Sequence, residues 1–399
     1  MEIYERGLEY LSDAEFKNGI NKMKVPELVF DGYRTALTKI IAERFSSMRA
    51  LVVYSKSTYQ TFARGISAVF ADSNGAYTEY VTDSIGEEAF NFGNEYRVIV
   101  AIGEDAYFSC IEFASKRNVP IITVITKGEI FNLISAETLV KRNGLYSFAT
   151  YNAKKTLIFD ESLYRGFERE SVASCVSHAL SYLLGLFDLA SKVKRQPLKD
   201  ATEFLKYAVN GFLGLNYGSK NFYDKYIEYA VKLGVAEYIS GKNHLTYLTP
   251  YWCGVAFGKQ PFSLYGFLAM RKLYLLYDIY FNNDFTDYPV ICDYEKNVTD
   301  ISARLGIDAD LLKKINKLDA KAYYSFETEF TENKKFFAEK LKKLRSLILK
   351  GEAIVGSICP DVSVTDDEVV AAIRTAPYVT NEKILLKYVR DSGILEEDV

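Results

Sequence analysis

The first place where this chain could do chemistry is the turn after the apolar run Arg97-Val98-Ile99-Val100-Ala101-Ile102. There Gly103-Glu104-Asp105-Ala106-Tyr107-Phe108-Ser109 leads into a helical run, Cys110 to Arg117, and a second apolar run, Val119 to Thr126. Strand, tight turn and helix cradle a pyrophosphate when glycines let backbone NH groups approach the anion at the helix N-terminus. Only Gly103 is present, and Glu104 and Asp105 set two carboxylates where phosphates would lie, opposing an anion by like-charge repulsion. The chain has 2 histidines, His178 and His244, which leaves little room for Ser/His/Asp or Cys/His nucleophilic catalysis. No G-x-S-x-G elbow or P-loop surrounds a candidate serine. No residue is assigned a catalytic role. The acidic triplet Asp366-Asp367-Glu368 follows Thr365, and a threonine followed by acids is a helix N-cap with charges favourable to the macrodipole. The basic run from Lys334 to Lys350, interleaved with Phe336, Phe337, Leu341, Leu344, Leu347 and Ile348, reads as the solvated face of an amphipathic helix.

The elements that must position these residues fall into two textures. From about Ser47 to Asp160, β-rich runs (Arg49 to Tyr54, Tyr77 to Thr82, Tyr96 to Ile102, Val119 to Ile125, Thr156 to Phe159) alternate with helical ones (Gln60 to Phe70, Cys110 to Arg117). Alternating units of this kind build a mostly parallel sheet covered by helices. From about Glu168, apolar residues recur at helical spacing over Val172 to Val193, Lys199 to Leu213, Phe222 to Leu233, Phe262 to Asn282, Val298 to Leu305, Asp308 to Leu318 and Phe326 to Leu349. Breaks are expected at Pro197, Gly241, Pro250 and Pro261. The expected architecture is an α/β nucleotide-binding-like domain over residues 1–165 and an all-α domain over 166–399, with the cleft between them as the default site.

Composition bounds the partners. A chain of 399 residues suits two domains, and 49% hydrophobic with 25% charged residues matches a globular protein without a bilayer-spanning run. The N-terminus lacks the basic and apolar regions of a signal peptide, and the five cysteines form no CxxC pair. They read as reduced thiols of a cytoplasmic protein. A net charge of -3 without a dominant basic block argues against nucleic acid. The expected partners are a small-molecule ligand and further copies of the chain in a homo-oligomer, with neither nucleic acid nor membrane.

In order and spacing, several segments resemble the iron-containing alcohol dehydrogenase superfamily, which includes glycerol-1-phosphate dehydrogenase and dehydroquinate synthase. They are Ile102-Gly103 entering a helix, Val119-Pro120 to Thr126, Leu157-Ile158-Phe159-Asp160, and Ser240-Gly241-Lys242-Asn243-His244. The last of these is most similar to glycerol-1-phosphate dehydrogenases, as are Arg374 and Tyr378-Val379-Thr380 before a final helix over Ile384 to Ser392. The resemblance implies a dehydroquinate synthase-like fold, a phosphorylated ligand, NAD(P) held near Gly103 and Thr126, and Zn or Fe as the metal.

It also locates the departures. The family's phosphate loop, Gly-Gly-Gly-Ser followed by an Asp and a Lys, reads Gly103-Glu104-Asp105-Ala106 here, with Ser109 and Glu112 near the later pair. A Ser and an Asp that serve cofactor and substrate fall on Glu129 and Phe131. For the metal, the match of Phe187-Asp188-Leu189 puts His178 on the first ligand position, ten residues earlier, and His244 keeps the second. The third histidine, seven residues before Gly266, is Lys259. Asp188, Glu168, Cys175 or Cys253 could supply a third ligand. Alternatively, Lys259 makes the site a small basic anion pocket, or is an exposed loop lysine. Two readings follow. One is a glycerol-1-phosphate dehydrogenase-like protein with a degraded cofactor loop and an incomplete metal site, without dehydrogenase activity; the other is an active NAD(P)- and metal-dependent polyol or polyol-phosphate dehydrogenase.

Overall fold

The computed structural model describes residues 26–82, 93, 95–135, 137–142, 144–190, 196–240, 248–282, 294–316, 320–380, 384–391 and 394–397. The strands are β1 (Glu27–Phe30), β2 (Arg49–Ser55), β3 (Ala76–Thr82), β4 (Tyr96–Ile102), β5 (Ile121–Val124), β6 (Glu137–Arg142), β7 (Leu145–Thr150) and β8 (Lys155–Phe159). Six of them form one sheet in the order β1-β8-β5-β4-β2-β3, and every pairing is parallel. Strands β6 and β7 pair separately.

Parallel strands covered on both faces read as continuous apolar runs. In β2 every residue after Arg49 is buried, and in β4 every residue after Arg97. One face, carrying Val52, Tyr54, Val98, Val100, Ile102, Ile122, Val124 and Ile158, packs with Leu37, Ile40 and Ile41 of the helix Tyr33–Arg44 and with Phe62, Ile66 and Val69 of the helix Lys56–Asp72. The chain folds into two compact units. The first comprises the described residues of Met1–Val140, Phe148–Ser171 and Tyr223–Lys242. The second comprises those of Lys141–Ser147, Val172–Phe222 and Asn243–Val399.

Most of the helix Phe222–Ser240 thus lies with the sheet rather than with its sequence neighbours. Its Tyr226 hydroxyl donates to the Gly128 carbonyl. A Cβ on Gly234 would lie 2.7 Å from Ile134 Cβ, so the missing side chain lets the helix close on the short helix Phe131–Ile134. Lys155, at the start of β8, is buried in this unit. Its ammonium donates to the carbonyls of Leu133 (3.3 Å) and Ser135 (2.9 Å) and lies over the Tyr107 ring. Burial pushes its pKa down to about 7.

Outside residues 141–147, which include parts of β6 and β7, the second unit is helical, and the expected all-α texture holds among the described residues. The run expected from Phe262 to Asn282 is two helices, Phe262–Leu268 and Met270–Asn282. Pro250, expected as a break, instead opens the helix Thr249–Phe257 from its first turn, where a missing NH costs nothing. That helix carries Trp252, fully buried, and packs on Phe262–Leu268 through paired glycines, Gly254 against the Phe262 carbonyl and Gly266 against the Pro250 carbonyl. The 39-residue helix Ala320–Ile358 buries Leu341, Ile348 and Val355 at seven-residue spacing while Lys340, Lys342, Lys343, Arg345 and Lys350 stay exposed, as the amphipathic reading expects. Thr365 caps the helix Asp366–Thr375 in a reciprocal capping box with Glu368, the structural role expected of the acidic triplet. Among the described residues no helix is long and apolar enough to cross a membrane.

Candidate functional site

Strand β2 crosses over to β3 on one side and β4 crosses to β5 on the other, so the strand order reverses between β2 and β4. In open α/β sheets ligands bind outside the carboxyl ends of the strands at such a reversal. Two helices begin there, Lys56–Asp72 after β2 and Glu104–Arg117 after β4. The first is closed by its own side chains: the Ser55 hydroxyl accepts from Thr58 N (3.3 Å), and Thr58 Oγ1 donates to the Ile102 carbonyl (3.1 Å), tying the helix to β4.

At the second, the loop expected over Gly103 to Ser109 is already helix from Glu104 onward, because acids in the first turn favour the N-terminal dipole. Gly103 is the N-cap, with φ +90°, a conformation L side chains rarely adopt. A Cβ there would lie 2.8 Å from Thr126 Oγ1 and 3.2 Å from Thr58 Cγ2. Gly103→Ala should therefore cost about 2 kcal/mol of unfolding free energy through backbone strain and crowding, read by urea unfolding followed by circular dichroism. An unchanged midpoint would show that the turn is not under this constraint.

Gly103 and Thr126, the two residues expected at the cofactor, do come together, but a third residue claims the space between strand and helix. The Glu104 carboxylate, 3% exposed, accepts from Thr126 N (3.3 Å), Thr126 Oγ1 (3.0 Å) and Lys127 N (2.9 Å). Burial pushes its pKa up to about 7, against the NH and OH groups that favour the anion. Asp105 pairs with Lys127 Nζ at 2.8 Å, and that contact holds the ammonium above its usual range despite burial. Glu104 thus turns inward to satisfy the loop after β5 instead of facing an incoming phosphate. The other substituted positions are likewise engaged. Ser109 Oγ donates to the Asp105 carbonyl, Glu112 accepts from the Tyr151 hydroxyl and pairs with Lys116, and Phe131 is fully buried. A pyrophosphate held at this turn needs glycines and uncommitted amides; the turn has one crowded glycine, and the amides of Thr126 and Lys127 are taken. The residues present do not fit it.

The metal expectation rests on His178, which lies 1% exposed on the helix Arg169–Ala190. Its Nδ1 is 3.2 Å from Ser263 Oγ, and the rings of Tyr182 and Tyr251 stand edge-on to it. Such surroundings suit a hydrogen-bonded core imidazole. His244 lies outside the described residues. Cys175 and Cys253 are buried thiols and Glu168 is exposed. Among the described residues no group of three His, Cys, Asp or Glu side chains is placed to hold a metal ion. Lys259 is half-exposed and engaged with a carboxylate: its ammonium lies 2.5 Å from Glu368 Oε1 and over the Tyr265 ring. The Lys259 contact, with the cap amide of Thr365, holds Glu368 down at about 2.

No protein-family model matches the chain, and no curated protein matches it. A six-stranded parallel sheet with a helical unit after it defines the class by fold: the chain has the fold of the iron-containing alcohol dehydrogenases. Among solved structures it is similar to an iron-containing alcohol dehydrogenase from Thermococcus thioreducens, at 11% identity and TM-score 0.54, covering 93% of this chain and 97% of that one. It is similar to maleylacetate reductase from Agrobacterium tumefaciens at 12% identity and TM-score 0.52, covering 92% and 95%. An archaeal alcohol dehydrogenase from a Red Sea brine pool, bound to NZQ, matches at 13% identity and TM-score 0.51, covering 94% and 98%.

Proposed function

We infer that this protein is a divergent, glycerol-1-phosphate dehydrogenase-like chain that has kept the fold and given up dehydrogenase chemistry, acting through binding rather than turnover. Function lives in the site rather than in the fold. The observation that carries the reading is the buried Glu104 carboxylate, which occupies the Thr126 and Lys127 amides beside the only glycine of the turn. An anion seeking the Thr126 and Lys127 amides must displace a carboxylate already in place. The surroundings of His178, a serine hydroxyl and two tyrosine rings, support the same reading. The competing reading, an active NAD(P)- and metal-dependent polyol dehydrogenase, draws on what the neighbours of this fold are named for and on the meeting of Gly103 with Thr126.

One experiment separates them. Calorimetric titration of the purified full chain with NADH and with NADPH, beside metal analysis of the same preparation, should show no saturation at millimolar cofactor and no stoichiometric zinc or iron. Micromolar cofactor binding together with a full complement of metal would restore the dehydrogenase.

A further inference from the structure

The second unit contains a charged cavity of about 520 Å³, within the range of small-molecule sites, lined in part by Arg374 and Tyr378. Two helix faces build it. Asn297, Ile301 and Arg304 come from one face of the helix Tyr294–Leu305; Asp367, Val370, Ala371 and Arg374 come from one face of the helix Asp366–Thr375. Both sets follow the three-to-four residue spacing that puts side chains on one side of a helix. The C-terminal segments close it with Arg390 and Leu395. The chain carries a net charge of -3, yet three guanidinium groups and two carboxylates, those of Asp300 and Asp367, line this one cavity.

Each guanidinium group has at least one neutral partner. Arg304 donates to Thr375 Oγ1, and Arg374 Nε donates to the Leu395 carbonyl at 3.2 Å. Arg390, 4% exposed, donates to Asn316 Oδ1 (3.2 Å) and stacks on the Tyr378 ring at 4.8 Å. Asn316 in turn donates to the Tyr378 carbonyl (2.7 Å), and Asn297 Nδ2 to the Tyr378 hydroxyl (3.2 Å). This scaffold fixes a buried guanidinium plane on an aromatic face, an arrangement that preorganises arginine for oxyanions. Val370, Ile301 and Leu395 supply an apolar wall beside it.

We propose that this cavity binds a small organic phosphate, with Arg304, Arg374 and Arg390 on the phosphate and Ile301, Val370 and Leu395 against the organic tail. The assignment is independent of the dinucleotide turn, which belongs to the other unit. Charge-assisted hydrogen bonds to phosphate carry most of the affinity, so losing one guanidinium weakens binding roughly tenfold or more.

The test uses the full chain titrated calorimetrically at low ionic strength with inorganic phosphate and, separately, with butyl phosphate. Saturable binding of both is expected, with butyl phosphate several-fold tighter. Arg304→Gln and Arg374→Gln should each weaken butyl phosphate roughly tenfold or more, and Asp300→Asn should tighten it a few-fold by removing a like charge. No saturable binding would overturn the assignment. So would a double arginine variant that keeps wild-type affinity, since the anion would then sit elsewhere. Equal affinity for the two probes would overturn the organic tail. Should the arginine variants not fold, Asp300→Asn decides, and unchanged affinity there counts against the site.

Discussion

Gly254→Ala is expected to unfold the helical unit or leave it barely stable. The helices Thr249–Phe257 and Phe262–Leu268 meet backbone to backbone, and a Cβ on Gly254 would fall deep inside the van der Waals shell of the Phe262 carbonyl. Gly266→Ala meets the Pro250 carbonyl in the same way, with Gly254 N only 3.0 Å off. Backbone cannot swing aside as a flexible side chain does, so the helices must separate and the buried surface between them is lost. The expected cost exceeds about 4 kcal/mol, the range reserved for severe core disruption, and lowers the melting midpoint by roughly 10 °C or more. Gly356→Ala is the control. Gly356 sits exposed in the helix Ala320–Ile358 with nothing near its would-be Cβ, so alanine there should stabilise by up to about 1 kcal/mol. Thermal unfolding of the three variants checks this, and a native-like midpoint for Gly254→Ala would mean the helices do not meet as described.

The stability of the α/β unit should pass through a minimum near neutral pH, because two buried groups there titrate in opposite senses. For Glu104 the folded pKa, about 7, lies above the ordinary 4.5, so folding favours its protonated form. That contribution is complete below pH 4.5 and is lost as pH rises through 7, for a fall of about 3 kcal/mol. For Lys155 the folded pKa, about 7, lies below the ordinary 10.5. The penalty of a buried ammonium is full below pH 7 and is relieved between 7 and 10.5, a recovery of up to about 5 kcal/mol. Urea unfolding of the unit between pH 5 and 9 should trace both limbs. Glu104→Gln should flatten the acid limb and Lys155→Met the alkaline one. An acid limb that survives in Glu104→Gln would show that some other group controls it.

Much of the framework was legible because it rests on local pattern. Buried parallel strands leave continuous apolar runs such as Val98 to Ile102, and the helix after them announces itself by period. The capping box at Thr365 and Glu368 spans three residues and could be read directly. What stayed hidden depends on partners far away in sequence. Glu104 meets Thr126 and Lys127, 22 and 23 residues on, so two acids after a glycine read as exposed charges facing a phosphate when one of them is buried. A lysine breaks an apolar run, so the pattern starts the strand at Thr156, although the Lys155 ammonium is satisfied by carbonyls 20 and 22 residues earlier. Pro250 opens a helix rather than ending one, and sequence alone does not say which side of a proline the helix occupies. Gly266 is fixed by its contact with the Pro250 carbonyl, a packing reason that no spacing discloses.

The burial of Trp252 has an optical corollary. It is the chain's 1 tryptophan among 31 tyrosines, it sits two residues from Gly254 in the helical unit, and its indole is wholly shielded from water. Selective excitation of that indole therefore illuminates one unit alone. Its emission starts blue and shifts red only when the helices around it part, while far-ultraviolet dichroism sums over the whole chain. Comparing the two signals in a single melt separates the unfolding of the helical unit from that of the sheet, without a label or a truncated fragment.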